Sequence, residues 1–208
     1  MRMFLKEEKS ANQCTALILA GGHSSRMAFP KAWKKTSEGI TFLNNIVRLY
    51  KNAGVLNVVV VLNEKFTREQ WENELLEIKS SAILVKNSYP TKGRLYSLQL
   101  GLRFCPSKFV FIHNVDSPFT PSVVIDKILN QVEENGVTIP SFKGKGGHPV
   151  LISNAVKNEI INRYESYETL RDVFACFPKK YEAVENASVL QNINTPQDLA
   201  LFNYEVVE

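Results

Sequence analysis

Short apolar runs alternate with longer amphipathic stretches over the first part of the 208-residue chain. Runs that are apolar throughout are typical of strands buried on both faces of a parallel sheet. The predicted strands are TALILA (15–20), LNVVVVLN (56–63), AILVKN (82–87) and KFVFIHNVD (108–116). The predicted helices are 42–54, ended by Gly54; 67–80, capped by Thr67; 95–105; and 120–135, with Thr120 as N-cap and Pro121 as its first residue. This alternation predicts βαβ units, a mostly parallel sheet and three layers.

The pattern is looser after residue 135. Short strands are expected at 136–140, 148–153, 179–185 and 188–193, with helices near 154–164 and 167–176 and a last one from 195. No linker, repeat or low-complexity segment interrupts the chain. Residues 1–13 mix both charge signs without an apolar core, so we expect a flexible lead-in there and not a signal peptide. Residues 14–208 are expected to form a single domain.

Composition narrows the class of protein. The chain is 44% hydrophobic and 22% charged with a formal net charge of +4, an excess too small and too dispersed to indicate nucleic acid. No apolar run reaches the length of a membrane span. Cys14, Cys105 and Cys176 are widely spaced, which favours a reducing cytoplasm and three buried thiols. We therefore expect a cytoplasmic protein without nucleic-acid or membrane partners, and the oligomeric state stays open.

The segment LILAGGHSSRMAFPK (17–31) indicates a loop that binds phosphate. Gly21 and Gly22 permit positive φ and close approach of backbone amides to an anion. Arg26 and Lys31 supply cationic donors, although two glycines beside surface cations also fit a simple turn. Open α/β sheets bind ligands beyond the carboxyl ends of their strands. The loops after Ala20, Asn87 and Asp116 are therefore expected on one edge.

LAGGHSSRMAFPK is similar to the L-A-[GA]-G-x-S-x-R-M-G-x-x-K signature of MobA-like nucleotidyltransferases, except at Ala28, where the family usually has glycine. This family includes the molybdenum-cofactor guanylyl- and cytidylyltransferases. The resemblance implies a Rossmann-like, three-layer α/β/α nucleotide-diphospho-sugar transferase (GT-A-like) fold. It also implies nucleotide contacts from the loop residues Leu19, Ala20, Gly21, Gly22, Ser24, Ser25, Arg26 and Lys31.

Three further segments resemble the family in the same order. GRLYSLQLGL (93–102) resembles the segment that faces base and ribose, which implies contacts from Gly93 and Ser97. FIHNVDSPF (111–119) resembles a strand ending in D-x-P, which implies that Asp116 binds Mg²⁺. NINTPQDL (192–199) implies that Asn192 or Asn194 completes the metal shell, before a helix starting at Thr195. Turn or helix capping is the simpler alternative for Ser97 and for Asp116.

GKGGHPVLIS (144–153) is similar to a G-H-P-V-L segment of the cytidylyl branch. The resemblance implies that Gly147 and His148 contact the acceptor substrate, although a lone histidine is more often structural. His113, inside a predicted strand, is expected to belong to the core or to support the site. TLRDVF (169–174) also resembles that branch, and no chemistry is assigned to it.

The resemblance implies a Mg²⁺-dependent transfer of a nucleoside monophosphate from CTP or GTP to a phosphorylated acceptor such as molybdopterin, releasing pyrophosphate. Arg26, Lys31 and Asp116 are the expected catalytic residues. No general base is required, because a phosphate nucleophile is already ionised. LAGG favours GTP and GGHPVL favours CTP, so the nucleobase stays open. The alternatives are a glycosyltransferase of the same fold and a nucleotide-binding protein with impaired catalysis.

Overall fold

The computed structural model describes residues 11–22, 29–195, 197, 198 and 200. Within these ranges the chain forms eight β-strands and six α-helices. In chain order they are β1 (Cys14–Ala20), α1 (Phe42–Asn52), β2 (Asn57–Asn63), α2 (Glu72–Ser81), β3 (Ile83–Asn87), α3 (Gly93–Leu102), β4 (Phe109–Asn114), α4 (Ser122–Asn130), β5 (Val137–Phe142), β6 (Lys145–Gly146), β7 (Val150–Ile152), α5 (Asn154–Arg163), α6 (Leu170–Ala175) and β8 (Lys179–Ala183).

The strands form one sheet in the order β3-β2-β1-β4-β7-β5-β6, and β8 also pairs with β5. Strands β1 to β4 are mutually parallel, with Leu19 of β1 opposite Asn114 of β4 and Ala20 opposite Leu62 of β2. This register places the carboxyl ends of β1, β2, β3 and β4 on one edge of the sheet. Ligands of open α/β sheets bind at this edge.

Strand β1 is buried on both faces, which makes the fold three layers thick. Ala16 and Ile18 point to one cluster, where helices α1, α2 and α4 contribute Ile46, Tyr50, Ile78 and Ile125. Leu17 and Leu19 point to the opposite cluster, where α3, α5 and α6 contribute Leu98, Val156, Ile160 and Leu170. Successive strand residues alternate between faces, so a continuous apolar run is what a middle layer requires. The predicted three-layer α/β fold is confirmed.

The mostly parallel character is also confirmed, with one departure. Strand β7 lies between β4 and β5 and is antiparallel to both. The short strand β6, which was not predicted, forms a hairpin with β5 through Lys143 and Gly144, both at positive φ. Strand β8 restores a parallel pair with β5. The sheet is therefore parallel around β1 and mixed beyond β4.

Several predicted boundaries were wrong. SVLQNI is not a strand: residues Ala187–Leu190 form a 3-10 turn. Helix α2 begins at Glu72, because Thr67 closes a preceding 3-10 turn instead of capping the helix. Helix α4 starts one residue after Pro121 and ends at Asn130, while Thr120 donates its hydroxyl to the Ser117 carbonyl. Cys14 and Cys105 are buried, but Cys176 is exposed at the end of α6.

Where the structure describes the chain, none of its helices combines the length and the apolar character needed to cross a membrane.

Candidate functional site

A cavity of about 400 Å³ lies at the carboxyl edge of β1 and β4. Its wall comes from segments that are distant in sequence: the end of β1, the Lys31 turn, the start of α3, the end of β4 and the segment before residue 195. The residues that line it are Leu19, Ala20, Gly21, Gly22, Lys31, Ala32, Pro90, Gly93, Arg94, Ser97, Asn114, Val115, Asp116 and Asn194. The three loops expected on one edge thus meet around a single cavity.

The backbone at Gly21 packs closely against two polar side chains. A Cβ at Gly21 would lie 3.1 Å from Asn87 Nδ2 and 3.3 Å from Ser97 Oγ. Asn87 Nδ2 donates to Ser97 Oγ (3.0 Å), and Ser97 Oγ donates to the Gly93 carbonyl (3.1 Å). Neither Gly21 nor Gly22 has a positive φ, so close approach, rather than an unusual dihedral, favours glycine at position 21. Ser97 holds the start of α3 against this loop.

Lys31 is positioned by its buried neighbour Trp33. The two residues share a 3-10 turn, and the Trp33 indole, 1% exposed, stacks on Trp71 and donates to the Phe66 carbonyl. The Lys31 ammonium donates to Asn194 Oδ1 (2.7 Å) and lies 3.8 Å from Asp116 Oδ2. The anchored turn therefore presents a cation to the cavity at a fixed place.

The loop carrying Asp116 is tied to two neighbouring segments. The Val115 amide donates to the Leu19 carbonyl (3.1 Å), and the Ile193 amide donates to the Asp116 carbonyl (2.7 Å). Ser117 Oγ donates to Asn192 Oδ1 (3.0 Å) and to the Gln191 carbonyl (3.2 Å). These bonds place Asp116 beside the segment that contains Asn194.

Asp116 has an unusual electrostatic environment. Desolvation raises the pKa of its carboxyl group above the ordinary value, and the charges of Lys31 and Arg94 oppose that rise. Its Oδ1 is buried and has no hydrogen-bond partner in the described part of the chain. Among the cavity-lining residues that are described, Asp116 is also the only acidic one. The side chain of Asp116 lines the cavity, so its carboxylate is a candidate ligand for a hard cation there.

The residues present fit a magnesium ion that has few protein ligands. Asp116 and Asn194 carry hard oxygen donors, and both residues line the same cavity. No cluster of three or more histidine, cysteine or acidic residues that could hold a metal occurs within the described ranges. Mg²⁺ commonly takes one or two protein oxygens together with substrate phosphates and water.

Asn192 and Asn194, equivalent candidates in the sequence, have different surroundings. Asn194 lines the cavity, whereas the Oδ1 of Asn192 accepts the Ser117 hydroxyl and the residue lies outside the cavity wall. Behind Asn194, Asp198 Oδ2 accepts the amides of Asn194 and Thr195 (both 2.8 Å) while Thr195 Oγ1 accepts the Asp198 amide. These bonds support the helix start that was predicted at Thr195.

Arg94, which the sequence interpretation did not single out, also lines the cavity. It is the second residue of α3, and its Nη2 donates to Asn114 Oδ1 (3.1 Å). Desolvation lowers the pKa of Arg94, and the charge of Asp116 opposes this change. Its signal in the sequence was a cation directly after Gly93, the residue predicted to face the nucleotide.

A second, larger cavity of about 1000 Å³ adjoins the first. Leu95, Ile139, Val150, Leu170, Phe174 and Tyr181 give it an apolar and aromatic surface, and Arg94, Arg171 and Lys179 add positive charge. Thr169 and Asp172 form a capping box at the start of α6, which orients Leu170 and Arg171 toward this cavity. The TLRDVF segment, to which no chemistry was assigned, thus contributes to a cavity wall.

The two residues predicted to contact the acceptor differ in their placement. His148 lines the larger cavity, and desolvation together with the charge of Arg94 lowers its pKa to about 4. Gly147 is buried and does not line the cavity; its amide donates to the Pro140 carbonyl (2.7 Å). A Cβ there would lie 2.7 Å from the Val189 carbonyl carbon, so the structure gives Gly147 a packing role.

Ser24, Ser25, Arg26 and Ala28 lie outside the described residues. The nucleotide contacts predicted for Ser24, Ser25 and Arg26, and the expected catalytic role of Arg26, therefore stay predictions.

His113 supports the Asp116 loop from inside the core. Its side chain is fully buried, its Nε2 lies 2.8 Å from the Ser117 carbonyl, and its Nδ1 lies 3.0 Å from the Tyr50 hydroxyl. The neutral ring that donates from Nε2 and accepts at Nδ1 satisfies both contacts. Desolvation lowers the pKa of His113 to about 4. The predicted core role of His113 is confirmed.

This burial predicts a pH-dependent stability. Below the ordinary histidine pKa of 6.5 the unfolded chain binds a proton that folded His113 does not, so stability falls with pH between about 6.5 and 4. Between pH 7 and pH 5, the free energy of unfolding measured with urea should fall by about 2 kcal/mol more for the wild-type protein than for His113→Gln. His148 also has a lowered pKa and is present in both proteins, so the comparison isolates the change at position 113. Equal losses in the two proteins would contradict the assignment.

The fold and the cavity together define a class of protein. Backbone amides, a lysine, an arginine and one carboxylate surround a cavity at the carboxyl edge of an α/β sheet, which is typical of proteins that bind nucleotide phosphates. A family model described as the MobA-like NTP transferase domain matches residues 16–184, and the chain therefore belongs to this family of nucleotidyltransferases. The family that the sequence motifs resemble is thus confirmed.

The chain is similar to curated relatives over nearly its whole length. A probable molybdenum cofactor guanylyltransferase of Bacillus mycoides (strain KBAB4) is 27% identical over 198 residues, covering 90% of this chain and 94% of the relative. The molybdenum cofactor cytidylyltransferase of Escherichia coli (strain K12) is 23% identical over 189 residues, covering 91% and 94%. The chain is thus similar to enzymes named for either nucleobase.

Solved structures show the same fold at low identity. Molybdopterin-guanine dinucleotide biosynthesis protein A of Archaeoglobus fulgidus matches with a TM-score of 0.67 at 17% identity, over 93% of this chain and 98% of that chain. A Mycobacterium tuberculosis protein in complex with manganese matches with a TM-score of 0.66 at 16% identity, over 91% and 97%.

Proposed function

We propose that this nucleotidyltransferase moves a nucleoside monophosphate from CTP or GTP to the phosphate of a small-molecule acceptor such as molybdopterin, releasing pyrophosphate. The observation that carries the proposal is the pair of adjoining cavities, one lined by anion-binding groups and the other by apolar groups with added cations. The relatives named for the molybdenum cofactor support this acceptor class.

The smaller cavity suits the triphosphate. The backbone around Gly21 and Gly22 and the start of α3 supply amide donors, and Lys31 supplies a compact positive charge. Gly93 and Ser97, which line the same cavity, would face base and ribose. The main contribution of these groups is to position the phosphates and to neutralise charge.

Asp116 and Asn194 would hold Mg²⁺ through side-chain oxygens. Bound there, the ion would supply charge neutralisation for phosphate oxygens of the nucleotide. In the structure Lys31 donates to Asn194, so Lys31 is placed to exchange this partner for a phosphate oxygen when nucleotide binds. Asp116, the acidic residue among the described residues that line this cavity, would then be the principal protein ligand.

The larger cavity suits the acceptor. Its apolar and aromatic wall, with Phe174 and Tyr181, fits a ring system, while Arg171 and Lys179 favour an anionic molecule. An oxygen of the acceptor phosphate forms the new bond to the α-phosphorus as the bond from that phosphorus to the β-phosphate bridging oxygen breaks. The pyrophosphate that leaves carries the electron pair of that bond. No side chain has to remove a proton from the acceptor phosphate.

Pyrophosphate release tests the proposal. The protein is incubated with Mg²⁺, molybdopterin and either CTP or GTP, and one of the two triphosphates is expected to support turnover. Lys31→Ala should lower the rate by about 10²-fold or more, because it removes a charge next to the transferred group. Lys86→Ala, at an exposed position on β3 away from both cavities, is the matched control and should retain the wild-type rate. No release with either triphosphate, or an unchanged rate in Lys31→Ala, would overturn the proposal.

A further inference from the structure

Arg94 occupies the boundary between the two cavities. Among the described residues that line either cavity, it alone lines both. Its neighbours divide between them: Gly93 lines the smaller cavity, and Leu95 lines the larger one. The Arg94 side chain is therefore in contact with both cavities.

The guanidinium is held at this boundary by one hydrogen bond and by opposite charge. Nη2 donates to Asn114 Oδ1 at 3.1 Å, and this bond links the start of α3 to the end of β4. Asp116 attracts the guanidinium from the side of the smaller cavity. On the other side, the charge of Arg94 helps to keep His148 neutral. A guanidinium has five donors, so the bond to Asn114 leaves most of them for a ligand.

We infer that Arg94 is a catalytic residue that binds the acceptor phosphate and the α-phosphate of the nucleotide at the same time, an inference that rests on the proposed function. The two reacting groups are both anions and repel each other as they approach. A planar fork of donors between the cavities offsets this repulsion and holds both groups in place. In the product, the same fork contacts the diphosphate that now links the two cavities.

This role predicts different effects of Arg94 on two ligands: the nucleoside triphosphate, and a diphosphate ester that joins a nucleoside to a second group. The triphosphate has its other contacts in the smaller cavity, notably Lys31. A diphosphate ester instead extends past Arg94 into the larger cavity. Removing the guanidinium should therefore weaken the ester much more than the triphosphate.

Titration calorimetry with Mg²⁺ tests the inference on wild-type protein, Arg94→Gln, Arg94→Lys and Arg103→Gln. The probes are CTP with CDP-glycerol and GTP with GDP-mannose. Arg94→Gln should weaken binding of the ester about 10-fold or more and binding of the triphosphate less than about 3-fold. Arg103→Gln is the matched control, because Arg103 follows the other end of α3 and lines neither cavity.

Turnover gives a second measurement. Arg94→Gln should lower kcat for pyrophosphate release about 10²-fold. The kcat of Arg94→Lys should be less than about 10-fold higher than that of Arg94→Gln, because lysine lacks the planar pair of donors of a guanidinium. A wild-type rate in Arg94→Gln, equal weakening of ester and triphosphate, or a wild-type protein that binds neither ester would overturn the inference. If the wild-type protein binds the esters but releases no pyrophosphate, the proposed function fails, and the ratio of ester to triphosphate binding still decides the role of Arg94.

Discussion

Asp116→Asn is expected to lower kcat/KM for pyrophosphate release by about 10³-fold while leaving the melting temperature unchanged or higher. The loss of activity follows from the loss of the carboxylate, since the other proposed ligand, Asn194, is a neutral amide. An amide oxygen ligates Mg²⁺ with less charge than a carboxylate, so the variant would bind the complex of Mg²⁺ and nucleotide more weakly.

The expected effect on stability comes from the raised pKa of Asp116. In the folded protein this carboxyl group binds a proton more readily than in the unfolded chain, so its ionised form lowers the free energy of unfolding at neutral pH. Asparagine keeps the shape and removes the charge. Lys31 retains its bond to Asn194, and Arg94 retains its bond to Asn114.

Pyrophosphate release and thermal unfolding should be measured on the same preparations. Asp126→Asn is the matched control, because Asp126 is exposed on α4 and lines neither cavity. A variant at position 116 that keeps its activity, or that loses activity only in proportion to a lower melting temperature, would show that Asp116 merely caps its turn.

Gly147→Ala is expected to lower the free energy of unfolding by about 3 kcal/mol. A Cβ at this position would collide with the backbone carbonyl of Val189, and backbone moves less easily than the end of a side chain. The amides of Gly147 and His148 donate to Pro140 and Val189, so the two segments cannot separate without losing hydrogen bonds.

Urea unfolding measures this effect, with Gly22→Ala as the control. Among the described residues, no atom lies within 4 Å of a Cβ at Gly22, and the φ of Gly22 is not positive, so the free energy of unfolding of Gly22→Ala should change by less than about 0.5 kcal/mol. If Gly147→Ala is as stable as the wild-type protein and instead binds the acceptor weakly, the contact with acceptor predicted from the sequence holds and the packing role does not.

The three layers of this fold were predictable because strands buried on both faces of the sheet are apolar at consecutive positions. Strands β1, β2 and β4 had to be apolar at consecutive positions, and the sequence shows this directly. The failure at 188–193 has a related cause. Val189 is buried, but it belongs to a 3-10 turn, and its carbonyl accepts a hydrogen bond from the His148 amide. A short apolar sequence alone does not distinguish such a turn from a strand.

The sequence predicted which individual loops contribute to the candidate site. Gly21, Lys31, Ser97 and Asp116 stand in motifs, and the rule for parallel strands placed their loops on one edge. The place of Arg94 between two cavities depends on how α3 approaches β4, β5 and β7, which local sequence does not specify. In the same way, tertiary contacts distinguish the two asparagines: Asn192 accepts the Ser117 hydroxyl, and Asn194 accepts the Lys31 ammonium beside the cavity.

The transfer itself is tested most directly by following the α-phosphate. The protein is incubated with Mg²⁺, molybdopterin and either CTP or GTP labelled at the α-phosphate, and the products are identified by mass spectrometry. The account predicts that one labelled triphosphate yields a diphosphate-linked dinucleotide of the acceptor together with an equal amount of pyrophosphate. Label that stays in the triphosphate with both nucleotides, although the protein binds them, would contradict it.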